Sequence, residues 1–496
     1  MMKRLIKIHP DDNVAVAPEL IPAGSVEGAL VLEEIPAGHK AALQDLAPGD
    51  RVIKYGFPIG VVTSPVRAGG HVHSHNLETG LGADTKLEWD AGNRAIVETS
   101  GMVPAFMGYR RPDGRAATRN EIWIINTVAC VNVPSQRIAE AASRELVVPG
   151  GGIDGIHAFT HPYGCSQLGD DLGLTRKILS GLVRHPNAAA VLILGLGCEN
   201  NTLKSFLQEV GELDAGRVRY FNAQEVLDEV EAGVEAVREL VAVVSTTRRE
   251  PIPASELVLG MKCGGSDGFS GITANPLVGR IADRLTSWGG TAVLTEVPEM
   301  FGAEAPLFAR CDSEENFEQA VAMVNGFKDY FRRHDEPVYE NPSPGNKEGG
   351  ITTLEEKSLG CIQKGGHAPV KQVVGYGEAA RPQLGGLCLV QAPGNDGVSA
   401  TALAAAGAHC VLFTTGRGTP LGVPVPTLKI ASNHALAERK PGWIDFDAGR
   451  MLDTDPEQVA DELMSVILDT AGGVRLARNE VNGFREIAIW KQGVTL

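Results

Sequence analysis

The stretch AAAVLILGLGCENN, residues 188–201, holds the key to the fold. From Ala188 to Leu196 it carries no polar side chain, then turns abruptly into Gly197, Cys198, Glu199, Asn200 and Asn201. An unbroken apolar run of this length, ended by Gly, fits a strand covered on both faces, as in a parallel sheet. It is about half as long as a membrane-spanning helix. Strands of similar character are expected at Glu121–Val128, Leu257–Met261, Thr291–Val297, Leu387–Gln391, Val411–Thr415 and Val425–Ile430, with a shorter run at Ile156–Thr160. Helices fall between them. Apolar residues at helical spacing predict one within Gln224–Val244, with Val226 and Leu227 in its stripe, and another through Phe317, Val321, Val324, Phe327 and Phe331. A third follows Asp455-Pro456, with Asp455 as its cap and Pro456 in its first turn. Alternating strands and helices predict a multidomain α/β protein with mainly parallel sheets.

Working outward, residues 106–250 read as a middle α/β domain and 251–496 as a C-terminal α/β domain, divided near RREPIPAS (Arg248–Ser255). Residues 1–82 differ: short runs such as Arg51–Tyr55 and Pro58–Val62 lie between Gly/Pro turns, which predicts a small β domain. Residues 83–105 read as a linker. Asp and Glu outnumber Lys and Arg by 61 to 45, for a formal charge of −16, which argues against a nucleic-acid partner but not against a small anion met by a local cation cluster. No signal-type apolar segment follows the basic start, because Pro10, Asp11 and Asp12 interrupt it. Eight scattered Cys without a CxxC pair fit a reducing compartment, so a cytoplasmic protein without membrane contact is expected.

Ligands of open α/β sheets bind beyond the carboxyl ends of the strands. There the sequence places Cys130, then His161 and Cys165, then Cys198 and Glu199, then Cys263. Each such Cys taken alone suits packing. Four at equivalent positions, on separate loops, suit a catalytic iron or zinc site rather than a closed structural zinc. The expected metal ligands are therefore Cys130, Cys165, Cys198, Glu199 and Cys263. In HVHSHN (His71–Asn76), strand alternation puts His71, His73 and His75 on one face, suited to proton transfer or metal binding. His73, His75 and the strand-end His161 are the candidate acid and base. The remaining His, including His39, read as isolated and structural. Gly265, Ser266 and Asp267, within GGSDG, suit an anion cradle, and Arg417, within TTGRGTP, suits a bidentate grip on a carboxylate. Neither GxGxxG opening a helix nor GxxxxGK[ST] occurs, so no nucleotide cofactor is expected.

These residues sit inside longer motifs: IKIHPDDNVAVA (Ile6–Ala17), THPYGCSQLGDD (Thr160–Asp171), GLGCEN (Gly195–Asn200), CGGSDGFSGITANP (Cys263–Pro276), TEVPEMFGAE (Thr295–Glu304) and ENPSPGNKEGGITTLEEKSLGC (Glu340–Cys361). In them the chain resembles the altronate/galactarate dehydratase family of sugar-acid lyases, from end to end. The resemblance implies an N-terminal β-clip (SAF-like) domain followed by a middle domain and a Rossmann-like C-terminal domain. It also implies iron, as Fe(2+) or an iron–sulfur cluster, and a homodimer. YGCSQLGDD and GLGCENN point to the altronate branch, which converts D-altronate to 2-dehydro-3-deoxy-D-gluconate in hexuronate catabolism. The alternatives are dehydration of galactarate or another sugar acid, and a sugar-acid binder without catalysis.

Overall fold

The computed structural model describes every residue except 1–3, 27–28, 83–86, 91–100 and 213. Ala188–Gly195 is a strand with all eight residues buried, and it lies inside a sheet, between Glu121–Asn126 and Val218–Asn222. Gly155–Phe159 completes this four-stranded parallel sheet on the far side of Glu121–Asn126. Both faces are covered, which is why the strand needs no alternation. Ile122, Ile124, Leu192 and Leu194 meet Ile138 of helix Asn132–Leu146 and Leu240 of helix Glu229–Val244. Trp123, Ile125, Val191 and Ile193 share a core with Ile178 of helix Gly169–Val183 and Phe206 of helix Leu203–Val210, and that core continues into the C-terminal domain.

The helix expected within Gln224–Val244 begins only at Glu229, because the Asp228 side chain accepts hydrogen bonds from Val230 N and Glu231 N and so sets its start. Leu227 therefore lies outside the helix and is fully exposed. Asp455 caps Pro456–Ala471 by accepting from Glu457 N. The segment read as a domain boundary holds a strand, Glu250–Pro253, antiparallel to Ala105–Arg110. Most of the expected linker, 83–86 and 91–100, lies outside the described residues.

The C-terminal sheet has seven parallel strands, in the order Val370–Val374, Gly386–Val390, Thr291–Leu294, Val258–Cys263, Cys410–Thr415, Thr427–Ala431 and Phe446–Asp447. From Val258–Cys263 the chain first builds one side, placing Val370–Val374 at the edge before Gly386–Val390 fills the gap beside Thr291–Leu294, then returns to build the other from Cys410–Thr415. The topological switch point lies between those two central strands, and their carboxyl ends border the crevice where such sheets bind ligands.

The N-terminal domain is made of short antiparallel strands. Val14–Val16, Lys40–Ala42 and His71–Val72 form one sheet, and Arg51–Lys54, Phe57–Val62 and Leu77–Glu78 another. The turn joining Arg51–Lys54 to Phe57–Val62 puts both Tyr55 (φ 62°) and Gly56 (φ 78°) in the left-handed region, as tight hairpins require.

Candidate active site and metal centre

Cys263 ends the central strand Val258–Cys263 and is buried. Its Sγ lies 2.9 Å from Glu299 Oε2 and 3.3 Å from the Sγ of Cys361, and the Cys361 thiol donates to the same Glu299 oxygen at 3.0 Å. Glu299 comes from the turn after the neighbouring strand Thr291–Leu294, and Cys361 from helix Leu354–Ile362. Among the described residues, this is the one group of three such side chains whose ligand atoms all lie within 4.8 Å of one another.

Charge surrounds it. Lys357 Nζ lies 2.9 Å from Glu299 Oε1. Lys262 Nζ contacts Glu296 Oε1 at 2.5 Å and Asp396 Oδ1 at 2.7 Å, and Lys364 Nζ contacts Glu296 Oε2 at 3.2 Å. Glu296 takes a left-handed backbone (φ 72°), which brings its carboxylate back beneath the strand end, where it also accepts from Cys263 N. Burial disfavours the charge on Glu299, but Lys357, Lys364 and Lys262 outweigh it and hold its pKa far below the usual range. Burial also works against Lys262 and Lys357, whose carboxylate partners nevertheless raise them. The hydrogen bond from Cys263, followed by burial, holds the Cys361 thiol well up. Three lysines here balance Glu296, Glu299 and Asp396, so a divalent cation entering the site would be met by two thiols as well as by Glu299. Two sulfurs and a carboxylate are a donor set that suits iron or zinc. Iron, which the family resemblance implies, fits these residues.

The N-terminal domain packs against this region. Glu356, on the same helix as Cys361, receives Lys40 Nζ at 2.8 Å and Lys54 Nζ at 2.7 Å, all three nearly inaccessible to solvent. Thr79 Oγ1 and Gly80 N donate to Glu355. The hydroxyl of Tyr55 rests on Gly271 and Gly360, where a Cβ at position 271 would come within 2.1 Å of it. A narrow cavity of about 10 Å³ remains between the domains, lined by Tyr55, Ser266, Asp267, Lys357 and Cys361.

The HVHSHN histidines do gather, though not as an extended strand. Only His71–Val72 is strand; Asn76 closes a turn by accepting from His73 N and donating to His71 O. His39, read from the sequence as isolated, belongs to the group: its ring stacks on that of His73 at 4.8 Å, and its Nδ1 lies 3.0 Å from His71 Nε2. Antiparallel pairing of Ala41 with His71 brings them together. The ring of His75 lies 5.5 Å from that of His71, and the residue is exposed. Burial, chiefly, lowers the pKa of His39, His71 to about 3 and His73 to about 4. His73 Nε2 contacts Lys347 O and His39 Nε2 contacts Glu348 O, so the cluster rests on helix Pro344–Glu348.

Arg417 reaches the same helix from the C-terminal sheet, donating to Gly345 O at 3.0 Å and Glu348 Oε2 at 3.1 Å. Gly265 packs beneath it. Ser266 O accepts from Asn346 Nδ2, and buried Asp267 accepts from Ser270, Ser432 and Asn433. Burial raises the pKa of Asp267 despite those donors. Arg417, Gly265, Ser266 and Asp267 therefore share one neighbourhood. The expected metal ligands divide: Cys263 joins Glu299 and Cys361, while Cys130, Cys165, Cys198 and Glu199 lie at strand ends of the middle domain. His161 is there too, with Nε2 on Asn126 O and Nδ1 accepting from Tyr163 N, so both ring nitrogens serve its own loop.

The strand-end criterion had no purchase on Cys361, which sits in a helix. Glu299 follows the expected strand Thr291–Val297 by two residues, but nothing in one sequence shows that its loop converges with Cys263 and Cys361. Lys262 stands at a strand end in the sequence, but no local signal marks Lys357 or Lys364.

Comparison with known proteins gives three family models along the chain: an altronate/galactarate dehydratase SAF domain over 3–80, a D-galactarate dehydratase/altronate hydrolase second domain over 108–245, and a D-galactarate/altronate dehydratase C-terminal domain over 254–495. The altronate dehydratase of Bacillus subtilis is 48% identical over 507 residues, covering 100% of both chains. That of Escherichia coli is 50% identical over 497 residues, covering 99% of each. The galactarate dehydratase (L-threo-forming) of Escherichia coli is 32% identical over 494 residues, covering 94% of this chain and 92% of its own.

Proposed function

The chain belongs to the altronate/galactarate dehydratase family, and on that premise we propose that it removes water from D-altronate to give 2-dehydro-3-deoxy-D-gluconate. One observation carries the choice of substrate: its full-length identity to altronate dehydratases is well above that to the galactarate enzyme.

The reaction takes the proton from C2, beside a carboxylate, and expels the hydroxyl at C3. Negative charge builds on a group that is already an anion. Cys263, Glu299 and Cys361 would hold the ferrous ion, which when bound supplies positive charge to offset that build-up. Lys357 keeps Glu299 ionised and fixed. Arg417 takes the substrate carboxylate through its planar fork, exchanging its exposed contact with Glu348 for a new one. Ser266 and Asp267 line the space beside it. His73 and His75 transfer the protons, His75 from the exposed end of the cluster. His161 is less suited, because it is buried within the middle domain, whereas His75 is exposed.

A cavity of about 10 Å³ has room for one water. A six-carbon acid therefore enters as the N-terminal domain lifts, and its return excludes water from the carbanion-like intermediate. The same reading includes a cytoplasmic homodimer, to be checked by light scattering. Among the described residues no helix is long and apolar enough to cross a membrane.

The deciding experiment compares D-altronate with galactarate and other six-carbon acids, in ferrous iron and a reductant, by release of the 2-keto-3-deoxy product. D-Altronate should give the highest kcat/KM; faster turnover of galactarate overturns the assignment. Arg417→Lys, which keeps charge but loses the fork, should raise KM at least tenfold. Unchanged kinetics would remove Arg417 from the site.

A further inference from the structure

We propose that Tyr55, at a hairpin tip of the N-terminal domain, is a catalytic residue: its hydroxyl donates a hydrogen bond to the carboxylate of the bound acid, where charge builds as the C2 proton leaves. The proposal rests on the dehydratase reading but not on which sugar acid is the substrate, since every candidate presents a carboxylate beside C2. Tyr55 lies in the turn between Arg51–Lys54 and Phe57–Val62 with φ 62°. Gly, Asn or Asp usually fill such a position, and an aromatic residue there is an outlier. Strain of this kind persists only where the surroundings fix it, and it gathers at functional sites.

The C-terminal domain is shaped to receive this side chain. The hydroxyl rests against two glycines from separate segments: Gly271, in the loop after Val258–Cys263, and Gly360, in helix Leu354–Ile362. A Cβ at position 271 would overlap the hydroxyl oxygen, and one at position 360 would touch it at 3.5 Å. Neither glycine takes a left-handed backbone, so it is the closeness of Tyr55, not conformation, that calls for glycine at position 271.

Tyr55 lines two spaces: the inner cavity that it shares with Lys357 and Cys361, and an outer cleft of about 340 Å³ that it shares with Ile8, Phe57 and Gln363. Its ring stands between them and shields the inner cavity from the cleft. Inside, Asp267 and Ser270 bond each other, Asn275 bonds Gly360 O and Thr414, and Lys357 bonds Glu299, so these groups are occupied. Among the described residues, the Tyr55 hydroxyl has no acceptor for its proton; the Lys54 ammonium, 4.9 Å from the centre of its ring, is itself a donor. A tyrosine hydroxyl keeps its proton near neutral pH. An O–H that is held in place, protonated and without an acceptor is ready for one that arrives with the substrate. Donors set in advance toward developing charge need no reorganisation at the moment of reaction. Because Cys361 lines the same cavity, a carboxylate drawn to Cys263, Glu299 and Cys361 comes within reach of this hydroxyl.

Tyr55→Phe keeps the ring and removes the donor. With the full chain in ferrous iron and a reductant, assayed on D-altronate or on whichever acid the substrate panel selects, kcat should fall about 100-fold while KM stays within about threefold, the mark of an interaction made chiefly in the transition state. Gly271→Ala separates catalysis from packing. Its methyl displaces Tyr55, so amides of Arg51–Lys54 and Phe57–Val62 should exchange faster with deuterium, and kcat should fall as well. In Tyr55→Phe/Gly271→Ala the loss of the hydroxyl oxygen gives the methyl room: exchange should return toward the wild-type rate while kcat stays low. An unchanged kcat in Tyr55→Phe, or a loss carried by KM alone, overturns the proposal. Faster exchange in Tyr55→Phe itself, or recovery of kcat in the double variant, also overturns it and makes Tyr55 a packing residue. If wild type turns over no sugar acid, the dehydratase reading fails and takes this role with it.

Discussion

Glu299 meets three demands with two oxygens: Oε2 accepts from both Cys263 and Cys361, while Oε1 faces Lys357. Glu299→Gln removes one negative charge from among buried lysines, which should cost about 3 kcal/mol of stability if it behaves as a broken buried pair. Urea unfolding should show the loss, and iron bound per chain should fall with it; a variant of unchanged stability and iron content would mean that Glu299 neither balances the lysines nor binds metal. At this scale the sequence was legible only where a residue carries a local signal. Cys263 had one, since it ends an apolar strand and opens a Gly-rich loop. Cys361 had none, since a thiol in a helix reads as packing. His39 stands 32 residues before His71, and only the register that pairs Ala41 with His71 makes them neighbours.

Helix Leu354–Ile362 carries the connection between domains. All nine of its residues are buried, including Glu355, Glu356 and Lys357. Burial works against the charge on Glu356, but Lys40 and Lys54 outweigh it and hold its pKa well below the usual carboxylate range. One carboxylate does not satisfy both cations equally: burial brings Lys40 down to about 8, while at Lys54 the Glu356 charge wins and raises it. Glu356→Gln should therefore cost about 3–5 kcal/mol, because two buried ammonium groups lose their partner. Amides of Lys40–Ala42 and Arg51–Lys54 should then exchange faster with deuterium. Replacing all three by apolar residues (Lys40→Met, Lys54→Met, Glu356→Leu) should restore most of the protection. If Glu356→Gln alone leaves exchange unaltered, the triad does not hold the domain. The sequence concealed this helix because EEK reads as a solvated face, and the N-terminal domain that covers it lies some 300 residues earlier. Helix Pro456–Ala471 was plain for the opposite reason: its cap, its first-turn Pro and its stripe are all local.

Across the whole molecule, the alternation of strands and helices announced two parallel sheets, but not the order of their strands or the seating of the β domain, which depend on contacts between distant segments. That seating makes the protein sensitive to acid. His39, His71 and His73 are pressed between the N-terminal domain and helix Pro344–Glu348, facing Lys40 and one another from their own side and the carbonyls of Lys347 and Glu348 from the other. Burial, first, and then mutual repulsion bring His71 to about 3, and burial brings His73 to about 4. An unfolded chain takes up these protons near pH 6.5, so from there down to about pH 4 it binds more protons than the folded one. Unfolding free energy must then rise with pH across that window: the contribution is fully present above about 6.5 and is lost as acid is added. One such group sets a limiting slope of about 1.4 kcal/mol per pH unit, and the partial exposure of these rings brings each below that. Urea unfolding of wild type between pH 7 and 4.5 should show this slope. His71→Leu should flatten it by close to one group, with a concurrent drop in acid-induced deuterium exchange at Lys40–Ala42. An identical slope in the variant would mean that the acid response comes from carboxylates such as Glu356, whose depressed pKa places its own loss at lower pH.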